Sequence, residues 1–192
     1  MTDWKVESAV VQAAVADWEP FLFSNEIYWP IQFSSSTIPA GTVLPRLSAG
    51  RLLLAGAILS ALIKSGEAGA DQYYDDLNRF LSLKTLWLAN WQKKVKKELP
   101  SRIRQWQQTI QELKHAEKIS PAQFSSQLSV RVIVTLLLDE VSQNEVAADY
   151  FSLIPLDQAL KNHFIAGDFV LEKTLEPLFP KEKFWFLYGK IA

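Results

Sequence analysis

Apolar residues recur at three- and four-residue spacings through most of the chain, the spacing of one face of an α-helix. Val6, Ala9, Val10, Ala13, Ala14 and Trp18 predict a first helix over 3–19, with Asp3 as its cap. Pro20 is expected to end it, because proline disfavours helical backbone at the residue before it. Ser48 is placed to cap a second helix over 49–64, apolar on nearly every side, with Gly66 as its stop. Gly50, Ala55, Gly56, Ala57 and Ala61 would let another helix approach it closely.

From Asp71 a third helical pattern runs on to Lys118. Unbroken, it would be about 72 Å long at 1.5 Å per residue. Pro100 is therefore expected to kink or break it. Ser120, Pro121 and Gln123 predict a new start, for a helix reaching about Gln143 with Val130–Leu138 buried. Shorter helices follow over about 144–155, 157–166 and 169–178, the first limited by Pro155 and the second by Gly167. The tail, 181–192, is too aromatic to be free and is expected to dock as a helical turn or a strand.

One stretch breaks this rhythm. Between about 20 and 47 there are four prolines, Gly41 and a serine run, yet also Phe21, Phe23, Tyr28, Trp29 and Phe33. So many rings in an irregular segment imply packing, since exposing them would be unfavourable. The expected fold is all-α: an irregular bundle of six or seven helices in one domain, 1–192, with the 20–47 segment packed on it.

Composition narrows the chemistry. The chain has no cysteine, which removes disulfides, thiolate catalysis and thiolate metal sites. Its N-terminus lacks the basic and apolar regions of a secretory signal, and its longest apolar run, Leu52–Ile63, is too short to span a bilayer. A cytoplasmic location without a membrane span is the expectation. Only two histidines occur, His115 and His163, at no metal-binding spacing, so neither a metal nor a cofactor is expected. The acid pairs Asp75–Asp76 and Asp139–Glu140 point about 100° apart on a helix and do not share a site. No nucleophile elbow and no glycine-rich phosphate loop is present, so catalysis is not expected.

Charge singles out 84–118, which carries net +6 in a chain of net −1. It also holds Trp87, Trp91 and Trp106. Stepping 100° per residue, Leu88, Trp91, Val95, Leu99, Ile103, Trp106, Ile110 and Leu113 form one seam. Lys93, Lys97, Arg104 and Lys118 lie on the opposite side. Trp91 and Trp106 thus belong to a core and the cations to solvent, while Trp87 lies off the seam.

Three functions follow. The first is a non-enzymatic interaction module that binds a protein partner or associates with itself as a homo-oligomer. The second is an inter-helix pocket for an apolar or aromatic small ligand, lined by some of Tyr28, Trp29, Trp87 and Trp185. The third is a nucleic-acid or anionic-surface contact through Lys93, Lys97, Arg102 and Arg104.

Overall fold

The computed structural model describes residues 4–31, 45–115 and 121–191. The fold is mostly helical and of the all-α class, closed by an aromatic C-terminal segment with a small two-stranded sheet. No helix among the described residues is long and apolar enough to cross a membrane. Contacts divide the chain into two compact units, Met1–Val95 and Lys96–Ala192.

The first unit contains α1 (Trp4–Ala16), α2 (Trp18–Phe23), α3 (Ala49–Lys64), α4 (Tyr74–Leu86) and the opening turns of α5 (Leu88–His115). α1 packs against α3 and α4. The first helix differs from the predicted 3–19: it closes at Ala16, and the chain re-enters a helix at Trp18. Pro20 is accommodated because it lies in the first turn of α2, where a backbone N–H has no partner within the helix anyway. α3 has the bounds its signals predict. Ser48 Oγ accepts from the Arg51 N–H at 3.2 Å. At the other end Gly66 has φ 71°, and the N–H groups of Gly66 and Glu67 donate back to Ile63 and Leu62. Gly56 admits Phe80 of α4, whose ring lies 3.1 Å from where a Cβ would stand.

Asp71 opens a short 3-10 turn, Asp71–Tyr73, rather than capping α4. Of the kink or break expected at Pro100, the break is not found. The long pattern divides at Trp87, and α5 then runs through Pro100 to His115. A proline in a helix loses one hydrogen bond and crowds the carbonyl four residues back, at roughly 3 kcal/mol. Burial of Leu99, Ile103 and Trp106 on the same helix offsets this, each large apolar side chain contributing roughly 1.5–3 kcal/mol.

The second unit contains the rest of α5, α6 (Pro121–Asp139), α7 (Ala147–Lys161), β1 (Phe164–Phe169) and β2 (Tyr188–Ile191). Pro121 is the first residue of α6, as its position after Ser120 suggests; Ser120 itself lies outside the described residues. The two helices expected over 144–155 and 157–166 are one, because α7 continues through Pro155 between the buried Leu153 and Leu160. Gly167 ends no helix: it lies in β1, where a Cβ on it would meet the Gly189 backbone at 3.7 Å. The strands pair antiparallel, Phe164 with Ile191 and Ala166 with Gly189, and a bulge precedes the Phe169–Tyr188 pair. The expected helix over 169–178 is a 3-10 helix, Lys173–Leu178. The tail has both forms left open by its composition, a 3-10 turn at Trp185–Leu187 and then β2. Phe179, Phe184 and Phe186 are buried, with Phe184 edge-on to both of the others.

The irregular segment is tied at its ends. Trp29 and Leu47 exchange backbone hydrogen bonds of 2.8 and 2.9 Å. Residues 32–44, including Phe33 and the serine run, lie outside the described residues.

Candidate functional site

A cleft of about 550 Å³ lies in the second unit. One wall is α7 with the residue just before it, Val146; the helix itself contributes Tyr150, Leu153, Ile154, Asp157, Gln158 and Lys161. Their three- and four-residue spacing makes a single stripe along four turns, apolar at its start and charged at its end. α6 supplies Arg131, Thr135, Leu138 and Asp139, and the segment before β2 supplies Glu182, Lys183 and Trp185.

Arg131 is only 8% exposed and is held from several sides. Its Nε and Nη2 donate to the two carboxylate oxygens of Asp157 at 2.9 and 2.7 Å. Its Nη1 donates to Thr135 Oγ1 at 2.6 Å, and the guanidinium carbon lies 4.9 Å from the Phe186 ring centre. Thr135 Oγ1 donates in turn to the Arg131 carbonyl. A paired carboxylate is the expected neighbour of a buried guanidinium, because an unpaired buried charge is strongly unfavourable. Lys161 sets its ammonium 4.9 Å from the Trp185 ring, which itself stands edge-on to Phe164. Lys183 and Asp139 form an exposed ion pair.

The lining contains no histidine, serine or cysteine. Its hydroxyls are the Tyr150 phenol and Thr135 Oγ1, the latter engaged by Arg131 on both sides. Among the described residues no group of three His, Cys, Asp or Glu side chains is placed to hold a metal.

Beside the cleft, α7 leaves large apolar side chains in solvent. Tyr150 is 49% exposed, Phe151 64% and Ile154 53%. Tyr150 and Phe151 meet edge to face with ring centres 6.3 Å apart. Just before α7, Ser142 and Lys96 both bond the Glu145 carboxylate, and the Lys96 hydrogen bond does most to hold its pKa below the usual glutamate range. Burial, with help from Glu176 and Glu182, pushes the Tyr188 phenol up; its hydroxyl donates to the Phe179 carbonyl at 2.7 Å.

The sequence-derived site residues separate. Tyr28, Trp29 and Trp87 are half-buried in the first unit, where Trp29 Nε1 donates to Asp17 at 3.4 Å and Trp87 meets Phe23 edge-on. Of that set only Trp185 lines the cleft. Lys93, Lys97 and Arg104 are exposed, but Arg102 is turned inward and donates through Nε to the buried Glu98 at 2.7 Å. Trp91 and Trp106 are fully buried, so neither ring offers a stacking surface.

Among the described residues two buried cations, Arg131 and Lys94, stand outside every expected set. Arg131 lies within the apolar run predicted to be buried, and that position was the available signal. Lys94 had none. Its Nζ, on a residue 4% exposed, donates to the carbonyls of Phe21, Ser24 and Glu26 and to Ser24 Oγ at 2.6–3.1 Å.

No protein-family model, no curated protein and no solved structure matches this chain.

Proposed function

We propose that the protein is a non-enzymatic helical interaction module, and that the α7 cleft takes a segment of a partner protein. One observation carries this reading: Tyr150, Phe151 and Ile154 stand exposed on one helix directly beside a cleft of about 550 Å³. Contiguous exposed apolar surface of this kind marks interaction sites, and aromatic anchors next to a pocket are where binding energy concentrates. The cleft volume is also in the range of small-ligand sites. However, Phe151 does not line the cleft, and a small ligand inside would leave it in water. A protein segment crossing the lip would cover it. A nucleic-acid reading has less support, since the exposed cations of α5 have no exposed tryptophan of that helix's seam beside them.

The test is site-specific photo-crosslinking in extracts of the source cells. A photoreactive phenylalanine analogue at 151 should capture one discrete partner protein, while the same group at the exposed Gln107 of α5 should not. Equal capture at both positions, or none at 151, would remove the basis for the reading.

A further inference from the structure

The cleft has a polar floor as well as an apolar lip, and the floor carries the Arg131–Asp157 ion pair. Three of the five N–H groups of Arg131 have partners among the described residues, two on Asp157 and one on Thr135. Among the described residues two donors have no partner, on a guanidinium that is nine-tenths buried and lines the cleft. Lys161, the cation nearest to Asp157 along α7, rests on Trp185 and has no carboxylate partner among the described residues. Of the acids in the lining, Asp157 is engaged by Arg131 and Asp139 by Lys183. Glu182 remains, but it is exposed, where water screens it.

We propose that the partner segment is both acidic and apolar, and that a carboxylate seats between Arg131 and Lys161 while an apolar side chain seats against Tyr150 and Ile154. This deepens the partner reading and rests on it. Asp157, which positions Arg131, is one helical turn from Leu153 and Ile154, and Lys161 is one turn further. The two subsites are therefore separated by roughly 5–10 Å along α7. The occupant carries its acid about one helical turn, or two to three extended residues, from its apolar anchor. The carboxylate receives charge-assisted hydrogen bonds, which are about twice as strong as neutral ones.

The probe is 4-phenylbutyrate, compared with 4-phenylbutanamide, which has nearly the same shape and no charge. Binding is followed through the indole N–H of Trp185 and the backbone amide of Tyr150 in two-dimensional NMR titrations. The acid should shift both resonances saturably and bind at least about tenfold more tightly than the amide, the worth of a charged hydrogen bond. Its affinity should fall as salt rises. Lys161 is exposed, so Lys161→Gln should keep the fold and shrink the acid-over-amide preference to about threefold or less. Equal affinity of acid and amide, with Tyr150 still shifted, would overturn the carboxylate subsite and leave the apolar partner site standing. An acid preference unchanged by Lys161→Gln would overturn the placement of the carboxylate. Failure of the partner reading itself is seen separately, as loss of selective capture from position 151.

Discussion

Lys94→Met tests the most demanding polar arrangement in the first unit. Methionine keeps most of the unbranched stem and removes the ammonium. In the native protein that ammonium lies 2.6 Å from the Phe21 and Glu26 carbonyls, 2.9 Å from Ser24 Oγ and 3.1 Å from the Ser24 carbonyl. It thereby closes the C-terminus of α2, where carbonyls lack helical partners and the helix dipole favours a cation. Its Nζ also lies 4.6 Å from the Phe21 ring centre. Hydrogen bonds from a charged donor are worth roughly 1.5–3 kcal/mol each, and acceptors stranded in a buried site lose about as much again. Against this, methionine avoids the desolvation of an ammonium, several kcal/mol. The expected net loss is roughly 3–5 kcal/mol, the range found when one member of a buried charged cluster is removed. Urea unfolding followed by tryptophan fluorescence reads it, because Trp18 stacks on Trp91 at 5.8 Å in the same unit. Hydrogen exchange should show lost protection at Ser24 and Phe21 before other sites. A loss under about 1 kcal/mol, at unchanged denaturant dependence, would show that the cage does not hold this helix end.

Other outcomes follow from the same structure. Glu7 and Arg51 form a two-pronged ion pair at 2.5 and 2.8 Å with little exposure, so Arg51→Met should destabilise by roughly 3–5 kcal/mol, and adding Glu7→Leu should restore most of it in denaturation experiments. Gly189→Ala should cost about 1–3 kcal/mol in thermal or urea unfolding, since a Cβ there would overlap the Ile165 carbonyl and come within 2.6 Å of the Phe164 ring. Glu145 should titrate below the usual glutamate range in carboxyl-carbon NMR, and Lys96→Met should move its midpoint back up. Because its pKa is depressed on folding, its contribution is present at neutral pH and lost as pH falls through the folded value. An unmoved midpoint in the variant would show that the ion pair is not the cause.

Helix ends set by local chemistry were legible in the chain, and those set by long-range packing were not. Ser48 and Gly66 bound α3 through hydrogen bonds made within a few residues of each end. Prolines misled because their cost is local while the compensation is distant: the helix containing Pro100 buries Leu99 and Ile103, and the one containing Pro155 buries Leu153 and Leu160. Trp87, where the long helix divides, carries no breaker at all. The seam over 84–118 was readable from its period, and Trp91 through Ile110 are buried as it requires, although Leu88 at its start is exposed. The cleft was less accessible. Arg131 and Asp157 are 26 residues apart, and no local spacing joins them. Trp185 was the one lining residue marked by its type, and the exposure of Phe151 depends on which side of α7 the rest of the unit covers.

The most direct measurement uses the partner captured from position 151. Its affinity for the native protein is compared with that for the Phe151→Ser, Ile154→Ser double variant by calorimetric titration. Both side chains are more than half exposed, so the melting temperature should stay within a degree or two, as for ordinary surface changes of about 0.5 kcal/mol. Removing two anchors should nevertheless weaken binding by at least about thirtyfold. Undiminished affinity in the folded variant would contradict the assignment of the α7 cleft as the binding site.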